Sequence, residues 1–470
     1  MASWKPCPPD GPALVFGRLW RELKIDRILS ARLAGRKFQF AVERAIFATV
    51  IHRLFESGSD RQGMRFLRDV DVPGSEELDL HHMYRAMAWL GENKDEIEYP
   101  EDGHKEDLFS VNRDLFTELS LVFFDTTSFY FEGQGGEELG RYGHSKDHRP
   151  DLHQVVVGAL LTQDGRPLSL TVTSGNTSDV QALLPVVDQA RERFGLNKVC
   201  FVADQGMASS SVIGALEARK IGYILGVRMR RVKEVEEKVL SHPGRYRKVE
   251  ENLHVKEVKI SDRRYIVCYN PEQAKKDAED RALILEALER KLNQGTKALV
   301  GNREFRKYLQ AERDAVRIDY EKVKGEARYD GKWVLRTNTE LPAAEVALQY
   351  KQLLMVERFF RAAKGLLETR PIFHQTDSAI RGHLFCSFLA LLLMHELTAR
   401  LKRRGWQLEW RDILRDLTEL EEVEVVHRGK RYLLRPPLKG VCGKVLQGAG
   451  VAIPPPVSPV REDCGAKTSS

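Results

Sequence analysis

Two short apolar runs, each closed by an aspartate, constrain this chain more than any other feature: LVFFD (Leu121 to Asp125) and KVCFVAD (Lys198 to Asp204). Both are rich in aromatic and β-branched residues and bounded by turn or polar residues, the signature of short buried strands. An acid at the C-terminal tip of a strand in an α/β sheet lies in the crevice where such sheets place their ligands. The pattern predicts Asp125 and Asp204 at two such tips. A third acid, Glu357, lies inside the helical stretch YKQLLMVERFFRAAK (Tyr350 to Lys364). Two tips and one helix can converge on one point, although most of the 68 Asp and Glu are expected to be solvated surface charges.

Three convergent carboxylates repel one another and stay ionised only beside a divalent cation. Magnesium is the expected occupant, with manganese as a substitute, because it takes hard oxygen ligands and completes its shell with water and substrate phosphate. Two ions about 3.5–4 Å apart activate an attacking oxygen and stabilise the leaving one. The acids therefore point to metal-dependent phosphoryl transfer.

Tyr350, Glu357 and Lys364 are spaced seven apart, which predicts one helix face with a drift of only ~20° per seven residues. Other motifs stand out along the chain: DTTSFYFEG (Asp125 to Gly133), GHSKDHRPDLHQVVVGALLTQDGRPL (Gly143 to Leu168), GNTSD (Gly175 to Asp179), ADQGM (Ala203 to Met207) and RPIFHQTDSAIRGHLFCSFLALLL (Arg370 to Leu393). Together these resemble the DDE transposases of bacterial insertion sequences. Within them the chain looks most like the insertion-sequence-4-like branch and its insertion-sequence-1634-like group. The signature of that branch is Tyr, two residues, Arg, three residues, Glu, six residues, Lys. Tyr350, Glu357 and Lys364 match it, and Leu353 stands where the Arg belongs. The resemblance runs from about residue 12 to about residue 455.

The resemblance implies that Asp125, Asp204 and Glu357 are both catalytic and metal-binding, and that Tyr350 and Lys364 act at the DNA. Arg361, one turn after Glu357, reads either as a replacement for the missing Arg or as an ordinary i,i+4 partner of Glu357. In SKDHRPD, Lys146 and Arg149 are candidate phosphate contacts, since Arg donates two hydrogen bonds from a planar fork. A structural salt bridge is the competing account. His144, His148 and His153 match no common zinc spacing. The family implies cut-and-paste DNA transposition: cleavage at the element's ends, then transfer of the 3′-hydroxyl into target DNA. The partners are the terminal inverted repeats and target DNA, and the chain acts at least as a homodimer on DNA. A nuclease without strand transfer, or an inactive transposase-derived DNA-binding protein, are the alternatives.

The expected architecture is α/β: a ribonuclease-H-like core, interrupted by a mixed α/β insertion and preceded by helices. Residues 1–118 repeat apolar positions at three- and four-residue intervals and read as a helical domain, either a plain helical core or one that presents a helix to DNA; the resemblance implies that it binds the element's ends. Residues 119–227 hold strand, hairpin about the turn QDG, helix, strand and helix. Residues 228–340 form the insertion. It alternates strand-like and charged runs, turns helical over 271–309, and carries Arg228 and Arg230 as DNA-contact candidates among interleaved acids. Residues 341–405 complete the core with Glu357, and 406–470 end in a β-like element, VEVVHRGKRYLLRP, and a disordered tail from about Pro456. A charge of +6 over 470 residues suits a polyanionic partner. The longest apolar run, Leu384 to Met394, is too short to span a bilayer and reads as a core helix. Six cysteines without paired spacing predict free thiols in a cytoplasmic, nucleoid-associated protein that does not use a membrane.

Overall fold

A computed structural model describes residues 3–98, 108, 121–194, 200–293, 307–311 and 316–459. A strand, β1 (Ser3–Pro6), precedes six helices, α1 (Gly11–Glu22), α2 (Ile25–Leu33), α3 (Val42–Phe55), α4 (Asp60–Asp69), α5 (Leu80–Glu92) and α6 (Lys94–Glu98). Next come β2 (Leu121–Tyr130), β3 (Gln154–Thr162), β4 (Pro167–Ser174), α7 (Asp179–Phe194), β5 (Cys200–Ala203), α8 (Ser210–Ala218) and β6 (Gly222–Val227). The inserted stretch contains β7 (Arg247–Glu250), β8 (Leu253–Ile260), β9 (Arg263–Tyr269), α9 (Pro271–Asn293), β10 (Leu309–Ala311), β11 (Val316–Ile318), α10 (Tyr320–Ala327) and β12 (Lys332–Thr337). The chain continues with α11 (Ala343–Lys351), α12 (Leu354–Arg361), α13 (Asp377–Arg403), α14 (Trp410–Thr418), β13 (Val423–His427), β14 (Lys430–Leu434), α15 (Cys442–Ala449) and β15 (Val457–Pro459). The fold is mixed α/β. It divides into two compact units, the first of residues 1–119, 125–178 and 355–470, the second of 120–124 and 179–354.

The first unit is organised by α13. Its run of Leu, Phe and Ala is apolar all round, and a helix of that kind must be buried on every side. Ile380, Phe385, Leu389 and Leu393 are fully enclosed, and α13 packs on α1, α3, α5, α15 and β4. Its length and apolarity would suit a membrane span, but 72% of its most apolar window is buried inside the protein. Thr376 caps the helix by accepting from the Ala379 N–H at 3.3 Å. The expected hairpin is present: β3 pairs with β4 antiparallel, and Gly165, at φ 84°, makes the turn. The N-terminal helices share this unit, and β1 pairs with β13 in the sheet β1-β13-β14-β15.

In the second unit, Leu121 to Phe123 of β2 pair in parallel with Cys200 to Val202 of β5, and β5 pairs in parallel with β6. The insertion extends this sheet instead of forming a module apart. Strand β12 runs antiparallel to both β6 and β9, and β8 and β7 follow. Val334 and Leu335 of β12 are buried. Val227, Val258, Tyr265, Val267 and Val334 pack with Val235 and Val239 of a π-helical turn, Val235–Val239.

Four expectations are corrected. Asp125 is not at a strand tip: β2 runs on to Tyr130, because TTSFY continues the β-favouring composition. The stretch from Tyr350 to Lys364 is not one helix, so the three residues do not share one helical face. Helix α11 ends at Lys351, the N–H groups of Gln352 and Leu353 bond three residues back, and Lys364 lies in a π-helical turn, Ala362–Leu366. Within the stretch expected to be helical to 309, β10 begins at Leu309 and pairs with β11. The tail expected to be disordered from about 456 contains β15, paired with β14, and its residues 460–470 lie outside the described residues. Five cysteines are free thiols, as expected, with Cys464 outside the described residues.

Helices α5 and α13 cross where both present glycine. A Cβ on Gly91 would overlap the Ser378 carbonyl, and one on Gly382 would overlap the Met87 carbonyl. Gly382→Ala gains about 1 kcal/mol of helix propensity but drives a methyl into backbone that no rotamer change can move, an overpacking cost of about 1–3 kcal/mol. The expected result is a lower denaturation midpoint. A raised midpoint would show that the helices do not meet this closely.

Candidate active site

In the first unit, Asp125 occupies the fifth position of β2. Its Oδ1 accepts from the Thr126 N–H at 2.7 Å. Lys146 approaches from the loop before β3. Its Nζ donates to the Thr126 carbonyl at 2.7 Å and hydroxyl at 2.8 Å, and lies 3.9 Å from Asp125 Oδ1. The Lys146 N–H donates to Ser128 Oγ at 2.9 Å, so backbone and ammonium are both held against β2.

The next residue, Asp147, faces inward. Only 6% of its side chain is exposed, and it accepts from Lys364 Nζ at 2.8 Å on Oδ1 and pairs with Arg370 Nη1 at 3.2 Å on Oδ2. Lys364 also lies 5.4 Å from the Phe129 ring centroid, and Arg370 lies 5.5 Å from that of Tyr130. Burial pushes the Lys364 ammonium below the usual lysine range, and Asp147 pulls it part of the way back. Glu357 and Arg361 of α12 are exposed. No ion pair joins them among the described residues. Arg149 makes a two-pronged pair with Asp151 at 2.8–3.2 Å, with both side chains about half exposed.

In the second unit, Asp204 directly follows β5, at a strand tip as its sequence predicts. The Tyr350 hydroxyl donates to Asp204 Oδ1 at 2.7 Å. Gly226 on β6 makes this contact possible, because a Cβ there would overlap the Tyr350 hydroxyl. The Met207 N–H closes the ADQGM turn on the Asp204 carbonyl at 3.0 Å. Arg228 is exposed, and its Nη2 lies 4.0 Å from where a Gly206 Cβ would be. Arg230 is engaged by Glu326 at 3.0 Å, with its guanidinium 4.5 Å from the Tyr329 ring centroid. Leu353, only 6% exposed, is a packing residue where the resembled family carries a charge.

The structure thus brings together Asp125 with Lys146, Lys364 with Asp147, and Asp204 with Tyr350. Sequence reasoning passed over Asp147, Arg370 and Gly226. Asp147 and Arg370 lie within quoted runs, but an acid between Lys146 and His148 looks solvated until its burial is known, and Gly226 carries no local signal. Among the described residues, the three His, Cys, Asp or Glu side chains whose ligand atoms all lie within 4.8 Å are Asp79, His81 and His82. The histidines of the Gly143–His153 stretch form no such group.

Residues 117–393, more than half of the chain, match the family described as Transposase DDE domain, and this chain belongs to that family. All three acids, Tyr350, Lys364, Asp147 and Arg370 fall within the match. No curated protein matches. Among solved structures, the piggyBac transposase in a cryo-EM synaptic complex with hairpin DNA is similar over 88% of this chain and 82% of that one. It is 9% identical at a TM-score of 0.39, which carries no argument about function.

Two substitutions test the supports. Asp147→Asn leaves two largely buried cations facing a neutral amide and should destabilise by about 3 kcal/mol; adding Lys364→Met should recover part of that loss in denaturant unfolding. Strict additivity of the two would mean the pair is not coupled. Tyr350→Phe and Gly226→Ala should each lower DNA-strand cleavage by roughly 10–100-fold, as loss of a hydrogen bond to a charged group does. In the Tyr350→Phe background, Gly226→Ala should add little. An undiminished second loss would show that Gly226 acts on something else.

Proposed function

We propose that this protein is a DNA transposase with a ribonuclease-H-like core, in which Asp125, Asp204 and Glu357 form one catalytic set. The observation that carries the reading is the register of two strands inside a chain of this family. Leu121, Val122 and Phe123 pair with Cys200, Phe201 and Val202, and each aspartate follows the last residue of that pairing by two positions. Neighbouring parallel strands carrying acids in step are what a shared cation requires.

The donor set fits magnesium, since all three side chains offer hard carboxylate oxygens and two are already oriented by neighbours: Asp125 by Thr126 and Asp204 by Tyr350. Bound there, two ions would lower the pKa of a water and stabilise a leaving oxygen. The chain's own part is positioning and charge. Lys146 sets a cation against Asp125, and the Tyr350 hydroxyl keeps one oxygen of Asp204 in a fixed direction. Hydrolysis of a terminal phosphodiester forms a bond from the water oxygen to phosphorus and releases a 3′-hydroxyl, which takes up the proton. In strand transfer that 3′-oxygen bonds to a target phosphorus, and the target's own 3′-oxygen leaves. We propose the termini of the element and target DNA as substrates, a homodimer on DNA because two ends must be joined, and the bacterial chromosome as its place of action.

The test is incubation of the purified protein with DNA carrying the gene's flanking termini and a target plasmid, with magnesium or with chelator, and sequencing of the products. Terminal cleavage and joined molecules that need magnesium, both reduced at least 10²-fold by Asp125→Ala or Asp204→Ala, are expected. Cleavage without joining would make the protein a nuclease. Specific binding without either would make it an inactive descendant, and normal cleavage by Asp204→Ala would remove that residue from the site.

A further inference from the structure

An open cleft of about 1130 Å³ in the first unit lies between the β3–β4 turn, α12 and the C-terminal part of α13. Its inner wall is self-neutralised. Arg166, with 6% of its side chain exposed, lies 3.7 Å from Glu396, and His395 lies 3.8 Å from Asp164. Burial holds the Arg166 guanidinium below its usual range, and the His395 contact holds the Asp164 carboxyl well below its own.

The rim differs. Arg358 from α12 and Lys402 and Arg403 from α13 are all exposed, and none of the three makes an ion pair with another described residue. Lys402 and Arg403 lie in the last turn of α13, where the helix dipole already favours cations. That account does not reach Arg358, which comes from a different helix and faces the same cleft. Three like charges on one opening repel one another, and the two acids lining the cleft, Asp164 and Glu396, already face His395 and Arg166 and offset that cost only in part. A polyanion would offset the rest, and a row of phosphates matches separate cations on two elements better than one small anion does. Arg358 also directly follows Glu357 in α12, so a strand held at the rim would pass within one helical turn of the acid proposed for catalysis.

We propose that this cleft is a docking surface for the phosphodiester backbone of DNA, with Arg358, Lys402 and Arg403 as phosphate contacts. The proposal rests on the transposase reading. The contacts position the strand without reading its sequence, so their loss weakens binding to all sequences alike.

The test is the salt dependence of binding to a linear duplex carrying the gene's flanking termini, for the full chain and for Arg358→Ala/Lys402→Ala/Arg403→Ala. Each lost phosphate contact removes about 0.9 from the slope of log affinity against log salt, so the variant's slope should be shallower by about 2–3. A control that removes exposed cations elsewhere, Lys259→Ala/Lys275→Ala, should leave the slope unchanged. Should the triple variant fail to fold, Lys402→Gln/Arg403→Gln keeps the stems and should lose about 1–2. An unchanged slope in the variant, an equal loss in the control, or equal competition by RNA of the same sequence would each overturn the proposal. A full chain that binds no DNA at all would instead defeat the transposase reading on which it rests.

Discussion

Much of the first unit's chemistry depends on one buried carboxylate. Asp147 could not be sealed from water without compensation, since the desolvation of an ionised acid costs several kcal/mol and is offset only by close, well-placed cations. It has two, Lys364 and Arg370, contributed by the π-helical turn and by the segment before α13. The loop before β3 is thereby held to two neighbouring segments more than 200 positions further along the chain. A further consequence falls on Lys146. With Asp147 turned inward, its neighbour in the chain turns toward β2, where the Thr126 carbonyl and hydroxyl hold the ammonium beside Asp125. The cation next to Asp125 and the buried acid that follows it are thus neighbours in one loop, held to different elements.

The second unit achieves a comparable effect by leaving space. Tyr350 reaches Asp204 only because position 226 lacks a side chain, although a glycine inside a strand weakens it. A residue that is unfavourable for β6 alone is required by a hydrogen bond to the end of the neighbouring strand. Leu353 belongs to the same economy. The break between α11 and α12 turns it into the interior, so a charge there would face a desolvation cost with no partner in the sequence reading to relieve it.

What the chain revealed before folding, and what it hid, divides along physical lines. The apolar runs before Asp125 and Asp204, the QDG turn and the all-round apolar α13 are local patterns whose periodicity and composition suffice. Where Asp125 falls within its strand was not legible, because the β-favouring composition continues past it and only the pairing with β5, which stops at Phe123, marks the change. The helix break at Gln352 was hidden for a different reason. A sevenfold spacing fits a continuous helix, and no glycine or proline signals the interruption. Asp147 was hidden most deeply, since whether an acid in a polar loop faces water or two cations is decided by residues more than 200 positions away.

The same distinction between paired and unpaired charge governs how the net charge of +6 should be understood. Many of the inserted stretch's basic residues are engaged: Arg230 by Glu326, Arg263 by Glu234, Arg264 by Glu257 and Arg281 by Asp330. A cation already facing a carboxylate contributes little field at a distance, and exchanging that partner for a phosphate releases little free energy. The basic residues that stood out in the inserted sequence are therefore weaker candidates for DNA contact than their number suggests. A polyanion is drawn instead to cations that the fold leaves exposed together without partners, and these need not lie in the most basic stretch of sequence. At the rim of the first unit's cleft, Arg358, Lys402 and Arg403 meet that condition, from two helices more than 40 positions apart in the chain.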